Sequence, residues 1–183
     1  ARTPLPVAYW GAPSGLACLD TVVQSVWREG YSHHITRLMI LANWATLLDV
    51  SPRELTDWFW VAYADAYDWV VEPNVLAMGT FAAGPLMTTK PYVSGAAYVH
   101  RMSDYCRGCV FDPHSSCPMT RLYWSFLRRH ADTLGDVARA GPVLATARRR
   151  SAADVARDEH VRARVLAALD AGQRLTPADL AES

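Results

Sequence analysis

Four cysteines are the residues best equipped for chemistry in this sequence. Cys106 and Cys109 bracket Arg107 and Gly108 in a Cys-x-x-Cys bend, where the glycine allows the backbone to turn so that both thiolates converge. Cys117 follows after seven further residues, directly before Pro118, and Cys18 lies far upstream. Three local ligands and one remote ligand suit a closed four-thiolate site, and soft thiolates select zinc or an iron–sulfur cluster. Spacing does not separate the two metals. Buried free thiols are the plainer account of the same four residues. An even cysteine count also permits disulfides, but the chain does not look like a small secreted scaffold. A cytosolic Cys-x-x-Cys with further cysteines is more often a metal or redox site.

Other side chains invite a chemical reading and a bland one. His33 and His34 stand together before an apolar run, and imidazoles suit proton transfer near neutral pH. Adjacent histidines in that position ordinarily serve structure, one facing solvent and one capping the helix. Trp58, Trp60, Tyr63, Tyr67 and Trp69 recur at roughly helical spacing, which is the pattern of core packing. Asp65 and Asp68 lie among these aromatics, where an unpaired carboxylate is costly. A hydrogen-bonded role is therefore favoured for Asp65, to a ribose, an adenine amine or a backbone cap. Two basic runs, Arg128–Arg129 and Arg148–Arg150, read as solvated faces, with phosphate contact as the sharper alternative.

The elements that must position these groups read as helices. Residues 1–13 carry Pro and Gly and form an irregular arm. Ser14 caps a helix to about Glu29, which Gly30 stops. The apolar stretch His33 to Leu48 is a buried helix. Ser51-Pro-Arg-Glu54 is a start signal, with Ser51 as N-cap, Pro52 in the first turn and Glu54 closing a capping box. The helix behind it is expected to run through Trp58 to Val70, and Pro73 marks the next break. Residues 79–93 form a long loop, Ser94 to Ser103 a short helix, and Pro118 to about Leu134 another. After Gly135 the chain turns Ala/Arg/Asp-rich, with Ser151 capping a helix to about Ala171 and Thr176–Pro177 starting a last turn. No segment alternates as a strand does, so the expected class is all-α. Residues 1–135 form one helical domain and 136–183 a helical tail.

Composition narrows the function. Hydrophobic residues make up 51% of the 183, so the chain folds around a core. No apolar run reaches a membrane span, and the N-terminus lacks the apolar stretch of a signal peptide, so a cytoplasmic protein is expected. Net charge is zero, so any contact with DNA must come from a local patch.

Several segments, in fixed order, resemble the iron–sulfur branch of the photolyase/cryptochrome family, which includes prokaryotic (6-4) photolyases. They are LPVAYW (5–10), GLACLD (15–20), GYSHHITRLMILANWATLL (30–48), YADAYDWVVEPNVLAMGTFA (63–82), KPYVSGAAYVHRMSDYCRGC (90–109) and CPMTRLYWSFLRRH (117–130). The resemblance covers roughly residues 5–130. It implies an all-α bundle like the C-terminal half of the photolyase FAD domain, with a [4Fe–4S] cluster on Cys18, Cys106, Cys109 and Cys117. It implies that His33 and His34 lie on the lesion side of the flavin, one of them as proton donor. Asp65 and Asn74 fall in the segment that contacts FAD, Trp10 and Trp58 match tryptophans that pass electrons to the flavin, and Tyr98 lies in the same aromatic neighbourhood.

The chain departs from the family in places. It begins near the midpoint of the FAD domain, without the helices that wrap the FAD phosphates. The Cys109–Cys117 loop is short, Phe59 stands where tyrosine is common, and Val71 falls where a polar residue near the flavin ring occurs. Two functions follow. One is flavin-dependent blue-light photoreduction with DNA photolesion repair, using a second chain or further sequence for the missing half. The other is a short flavin-free iron–sulfur protein that binds nucleic acid or a protein partner, with redox sensing.

Overall fold

The structure is a computed structural model that describes residues 1–135, 137 and 140–181. Among these every regular element is helical, apart from an isolated parallel bridge between Thr3 and Val50. That bridge, with Thr3 N–H donating to Asp49 O (3.0 Å) and Ser51 N–H to Thr3 O (2.8 Å), pins an arm expected to be irregular. The arm ends in a 3-10 turn, Val7–Trp10, that buries Tyr9 completely, its hydroxyl donating to Leu41 O (2.7 Å).

Helix α1 (Ala17–Glu29) starts later than Ser14 would place it. Ser14 instead binds the Asp20 carboxylate through N–H and Oγ, so the turn closes against a side chain one helical turn inside. Gly30 ends the helix at φ 62°, a left-handed stop that glycine adopts without strain.

Helix α2 spans 34–47 but is widened to a π-helix over Arg37–Ala42. Helix α3 (Pro52–Ala62) has half of the expected capping box. Ser51 Oγ accepts from Glu54 N–H at 3.5 Å, whereas the Glu54 carboxylate takes Leu5 N–H at 2.7 Å, holding the arm instead of its own cap.

The long helix expected through Val70 is broken. It ends at Ala62, residues 63–67 form a turn, and α4 follows over 68–79. Ala64 N–H donates to Gly30 O at 2.9 Å, so the break is a tertiary contact that local pattern does not carry. Pro73 does not end α4. The helix accommodates it as a π-turn over Glu72–Gly79, which relieves the clash of the proline ring with the carbonyl four residues back. The two widened turns pack on each other where a Cβ on Gly79 would lie 3.1 Å from that of Ala42.

After the loop come α5 (Ala96–Met102), the cysteine segment and α6 (Pro118–Arg129), which stops short of Leu134. Helices α7 (Gly141–Arg148) and α8 (Ala152–Asp170) follow, with Ser151 capping Asp154 N–H at 3.1 Å as its sequence indicates. The last turn, Pro177–Leu180, carries a full capping box between Thr176 and Asp179. Residues 136, 138, 139, 182 and 183, including both limits of the expected tail, lie outside the described residues.

The tail shares the core of the preceding helices. Val161, Val165 and Leu169 of α8 are buried in it, and Leu175 N–H donates to Ser14 O (2.8 Å). Gly15 makes this closure possible, because a Cβ there would meet Leu175 O at 2.4 Å.

A polar pin joins α2 to α6. Asp49, left-handed at φ 56°, accepts from Arg129 Nε (2.9 Å) and pairs with His130 Nε2 (2.7 Å). Burial works to raise the Asp49 carboxyl, but the His130 hydrogen bond and the Arg129 charge outweigh it and hold it below the usual carboxylate range. A depressed carboxylate stabilises the fold above its unfolded pKa of about 3.9 and loses that contribution as pH falls through its lower folded value. Asp49→Asn keeps a side chain that tolerates the left-handed backbone. At pH 7 it is expected to cost roughly 1.5–3 kcal/mol, the worth of a hydrogen bond to a charged group. The difference from wild type should fade below about pH 4 as the wild-type carboxylate protonates, which urea unfolding between pH 7 and pH 3 would measure.

Candidate functional site

The four cysteines line one cavity. Cys18 comes from the first turn of α1, Cys106 and Cys109 from a 3-10 turn over Tyr105–Gly108, and Cys117 from the N-cap of α6. Leu16, Trp44, Phe111 and Met119 close the apolar walls. The bend between Cys106 and Cys109 does not draw on the freedom of Gly108, which has no positive φ. The 3-10 turn itself makes the bend, with Cys109 N–H donating to Cys106 O at 3.4 Å.

The short loop to Cys117 closes on Asp112. Its carboxylate accepts from His114 N–H, Ser115 N–H and Ser115 Oγ, each at 2.9 Å, and its carbonyl accepts from Cys117 N–H at 2.8 Å. This compact turn returns Cys117 to the cavity despite the loop's brevity.

All four thiols are free of disulfides. Burial pushes Cys18 and Cys117 up to about 12, and it raises Cys106 as well. Among the described residues no three His, Cys, Asp or Glu side chains are drawn close enough to form a group that holds a metal ion. The four cysteines thus share the lining of one cavity.

His34 sits between two further openings. One is a groove of about 650 Å³ lined by His34, Lys90, Tyr92, Tyr98, Arg101 and Trp124. The other, about 100 Å³, lies between the two π-turns and is lined by His34, Arg37, Phe59, Val71 and Asn74 among others. The structure thus brings His34 together with Tyr98 in the groove and with Asn74 in the smaller cavity. His33 is turned away to serve α2, its Nδ1 accepting from Ile35 N–H at 3.2 Å.

Asn74 spends its amide N–H on Val70 O (2.7 Å). Asp65 receives Arg37 Nη2 at 2.8 Å through one oxygen, while its other oxygen is buried with no partner. Arg37, unmarked in the sequence, also lies over the Tyr63 ring at 4.2 Å, so it ties α2 to the 63–67 turn.

Trp10 and Trp58 do not touch ring to ring in any contact described. Trp27 stands between them, 5.8 Å from Trp10 and 6.3 Å from Trp58, and both Trp27 and Trp58 donate Nε1–H to Tyr9 O at 2.9 Å. Trp58 is buried and Trp10 is 53% exposed, so the three rings lead from core to surface. Trp27 escaped sequence reasoning because it lies nine residues after Cys18, about half a revolution round the same helix and on its opposite face.

The basic runs are divided between structure and solvent. Arg129 is held by Asp49, and Arg150 by Asp158 and Asp154. Arg128, Arg148 and Arg149 are exposed. Within the Arg148–Arg150 run, Arg148 and Arg149 thus lie on a solvated face, whereas Arg150 is an internal tie.

An all-helical chain with these segments in this order points to the photolyases, and direct comparison supports that relationship. The chain is 41% identical over 152 residues to a (6-4) photolyase of Agrobacterium fabrum, covering 80% of this chain and 30% of that protein. The chain therefore spans under a third of that photolyase's length, and the match is longer than the stretch 5–130 that carries the motifs. It is also 35% identical over 94 residues to an uncharacterized protein of Acanthamoeba polyphaga mimivirus, 51% of this chain and 73% of the viral protein, and belongs to one family with it. No protein-family model matches the chain. No helix among the described residues is long and apolar enough to cross a membrane.

Proposed function

We propose that this chain is the iron–sulfur and flavin-facing part of a photolyase/cryptochrome-like protein that carries out blue-light photoreduction and DNA photolesion repair. The observation that carries this reading is the convergence of Cys18, Cys106, Cys109 and Cys117 on one cavity, in a chain 41% identical to a (6-4) photolyase.

Four thiolates suit either zinc or a [4Fe–4S] cluster, and the resemblance to the iron–sulfur branch of the photolyases favours the cluster. A tetrahedral zinc at about 2.3 Å from each sulfur draws its ligands to within roughly 4 Å of one another. A cubane cluster would take one thiolate at each of four irons, which four cysteines lining one cavity can supply.

A bound FAD supplies blue-light absorption and one-electron chemistry. The unpartnered Asp65 oxygen and the Asn74 side chain are the polar groups this chain offers it. Trp58, Trp27 and Trp10 form the electron path to the surface. His34, and not His33, is the proton donor on the lesion side, because His33 is committed to the α2 cap. The exposed, stacked rings of Tyr67 and Trp69 belong to the face that the rest of the flavin domain covers, whether it comes from further sequence or from a second chain.

The test is a visible spectrum of anaerobically purified protein, dark and then after blue light. A broad brown cluster band with structured flavin bands that bleach in light is the expected result. A brown protein that takes up no FAD, alone or with the missing half supplied, would overturn the flavin part and leave the cluster.

A further inference from the structure

We propose that Trp44 is a tuning residue for the four-cysteine site, donating its indole N–H to the Cys18 sulfur and thereby raising the reduction potential of the cluster held there. This rests on the cluster reading above and goes beyond it by assigning a function to a residue of the 30–48 segment to which the resemblance gives no role.

Trp44 is completely buried, on the α-helical end of α2. Its Nε1 lies 3.4 Å from Cys18 Sγ and lines the same cavity as all four cysteines. A buried indole N–H ordinarily finds a partner, and a neutral thiol sulfur is a weak acceptor. The other buried tryptophan of this region, Trp58, gives its N–H to a backbone carbonyl. A metal-bound thiolate is anionic, which makes Cys18 Sγ a worthy acceptor for a donor that has been taken out of water.

The position is also structurally firm. Asn43, the neighbouring buried residue, holds Ser94 and Met119, so the turn of α2 that aims Trp44 is tied both to the loop before α5 and to the first turn of α6 after Cys117.

The electrostatic sense is fixed. Reduction adds an electron to the cluster and charge to its sulfurs, so a donor aimed at a ligand sulfur favours the reduced form. Removing only that donor lowers the potential.

The experiment uses the whole chain, reconstituted anaerobically with ferrous iron and sulfide and titrated with dithionite under spectroscopic monitoring. Trp44→Phe removes the N–H and trims the ring. Replacement of Trp44 by β-(3-benzothienyl)alanine removes the N–H and keeps the shape, which guards against a folding defect in the phenylalanine variant. The expected result is a cluster of wild-type iron content whose reduced-to-oxidised ratio at a fixed potential is about tenfold lower. For a one-electron couple that is a shift of about 59 mV to lower potential. An isosteric variant with intact cluster and unchanged potential would overturn the assignment. A wild-type protein that assembles no cluster would instead overturn the cluster reading on which it rests.

Discussion

Cys117→Ser is expected to yield a colourless, poorly soluble protein whose iron content falls from about four atoms per chain to below one. Cys117 has two duties: it lines the cavity and it is the N-cap residue of α6, the helix against which α8 packs. Serine preserves size and is itself a good cap, so helix α6 should start normally. On the cluster reading, loss of one iron-ligating thiolate is then the main change, and the α1, cysteine-turn and α6 segments lose what ties them together. If the four cysteines were only buried thiols, the same exchange would cost about 1–3 kcal/mol and leave a soluble fold. Iron and sulfide analysis with circular dichroism separates the two. A soluble variant with wild-type iron content would end the cluster reading. Cys18→Ser, Cys106→Ser and Cys109→Ser should behave alike, since a closed four-thiolate site treats its ligands as equivalent.

Asp158→Ala is expected to lower the unfolding free energy by about 3–5 kcal/mol, a large share of the 5–15 kcal/mol typical of a domain. The Asp158 side chain is only 1% exposed and bridges a cation of α6 and one of the segment before α8. It accepts from Arg121 Nη1 of α6 at 3.0 Å and from Arg150 Nε at 2.9 Å. Removing the carboxylate takes away the buried partner of both guanidinium groups, which keep only the more exposed Asp154, and α8 loses its buried anchor on α6. Thermal unfolding should drop steeply, and trypsin should gain access to Arg157, Arg162 and Arg164 on α8. Asp154→Ala is the control. Its carboxylate pairs with the same Arg121 at 3.1 Å but is 43% exposed, so solvent screening should leave its effect much smaller than that of Asp158→Ala. Equal effects of the two substitutions would refute the assignment of Asp158 as the anchor.

These two predictions lie at opposite ends of what local sequence discloses. Cys106-x-x-Cys109 followed by Cys117 points to a thiolate site by type and spacing alone, and the structure gathers these cysteines with Cys18 on one cavity. Asp158 looks like any other charge in an Ala/Arg/Asp-rich helix, and nothing in the order of residues says that it faces inward. In sequence Arg150 belongs to one basic run with Arg148 and Arg149, yet it pairs with Asp158 while its neighbours face solvent. A run of like charges records composition, and only the helix's placement assigns each charge to a side.

Local chemistry within the sequence determined the helical class, the left-handed stop at Gly30, the Ser151 cap and the set of four cysteines. Each depends on residues within a few positions of one another, or on a side-chain type with few alternatives. Tertiary structure decided the rest. It broke the helix at Ala62 by pairing Ala64 with Gly30, and it carried α4 through Pro73 by packing one widened turn on another. It also separated His33 from His34, giving one to a helix cap and the other to two cavities, and it set Trp27 between Trp10 and Trp58. The physical reason is common to all of these. Propensity and capping act over one helical turn, whereas the side a residue faces is settled by apolar burial and hydrogen bonding between segments tens of residues apart.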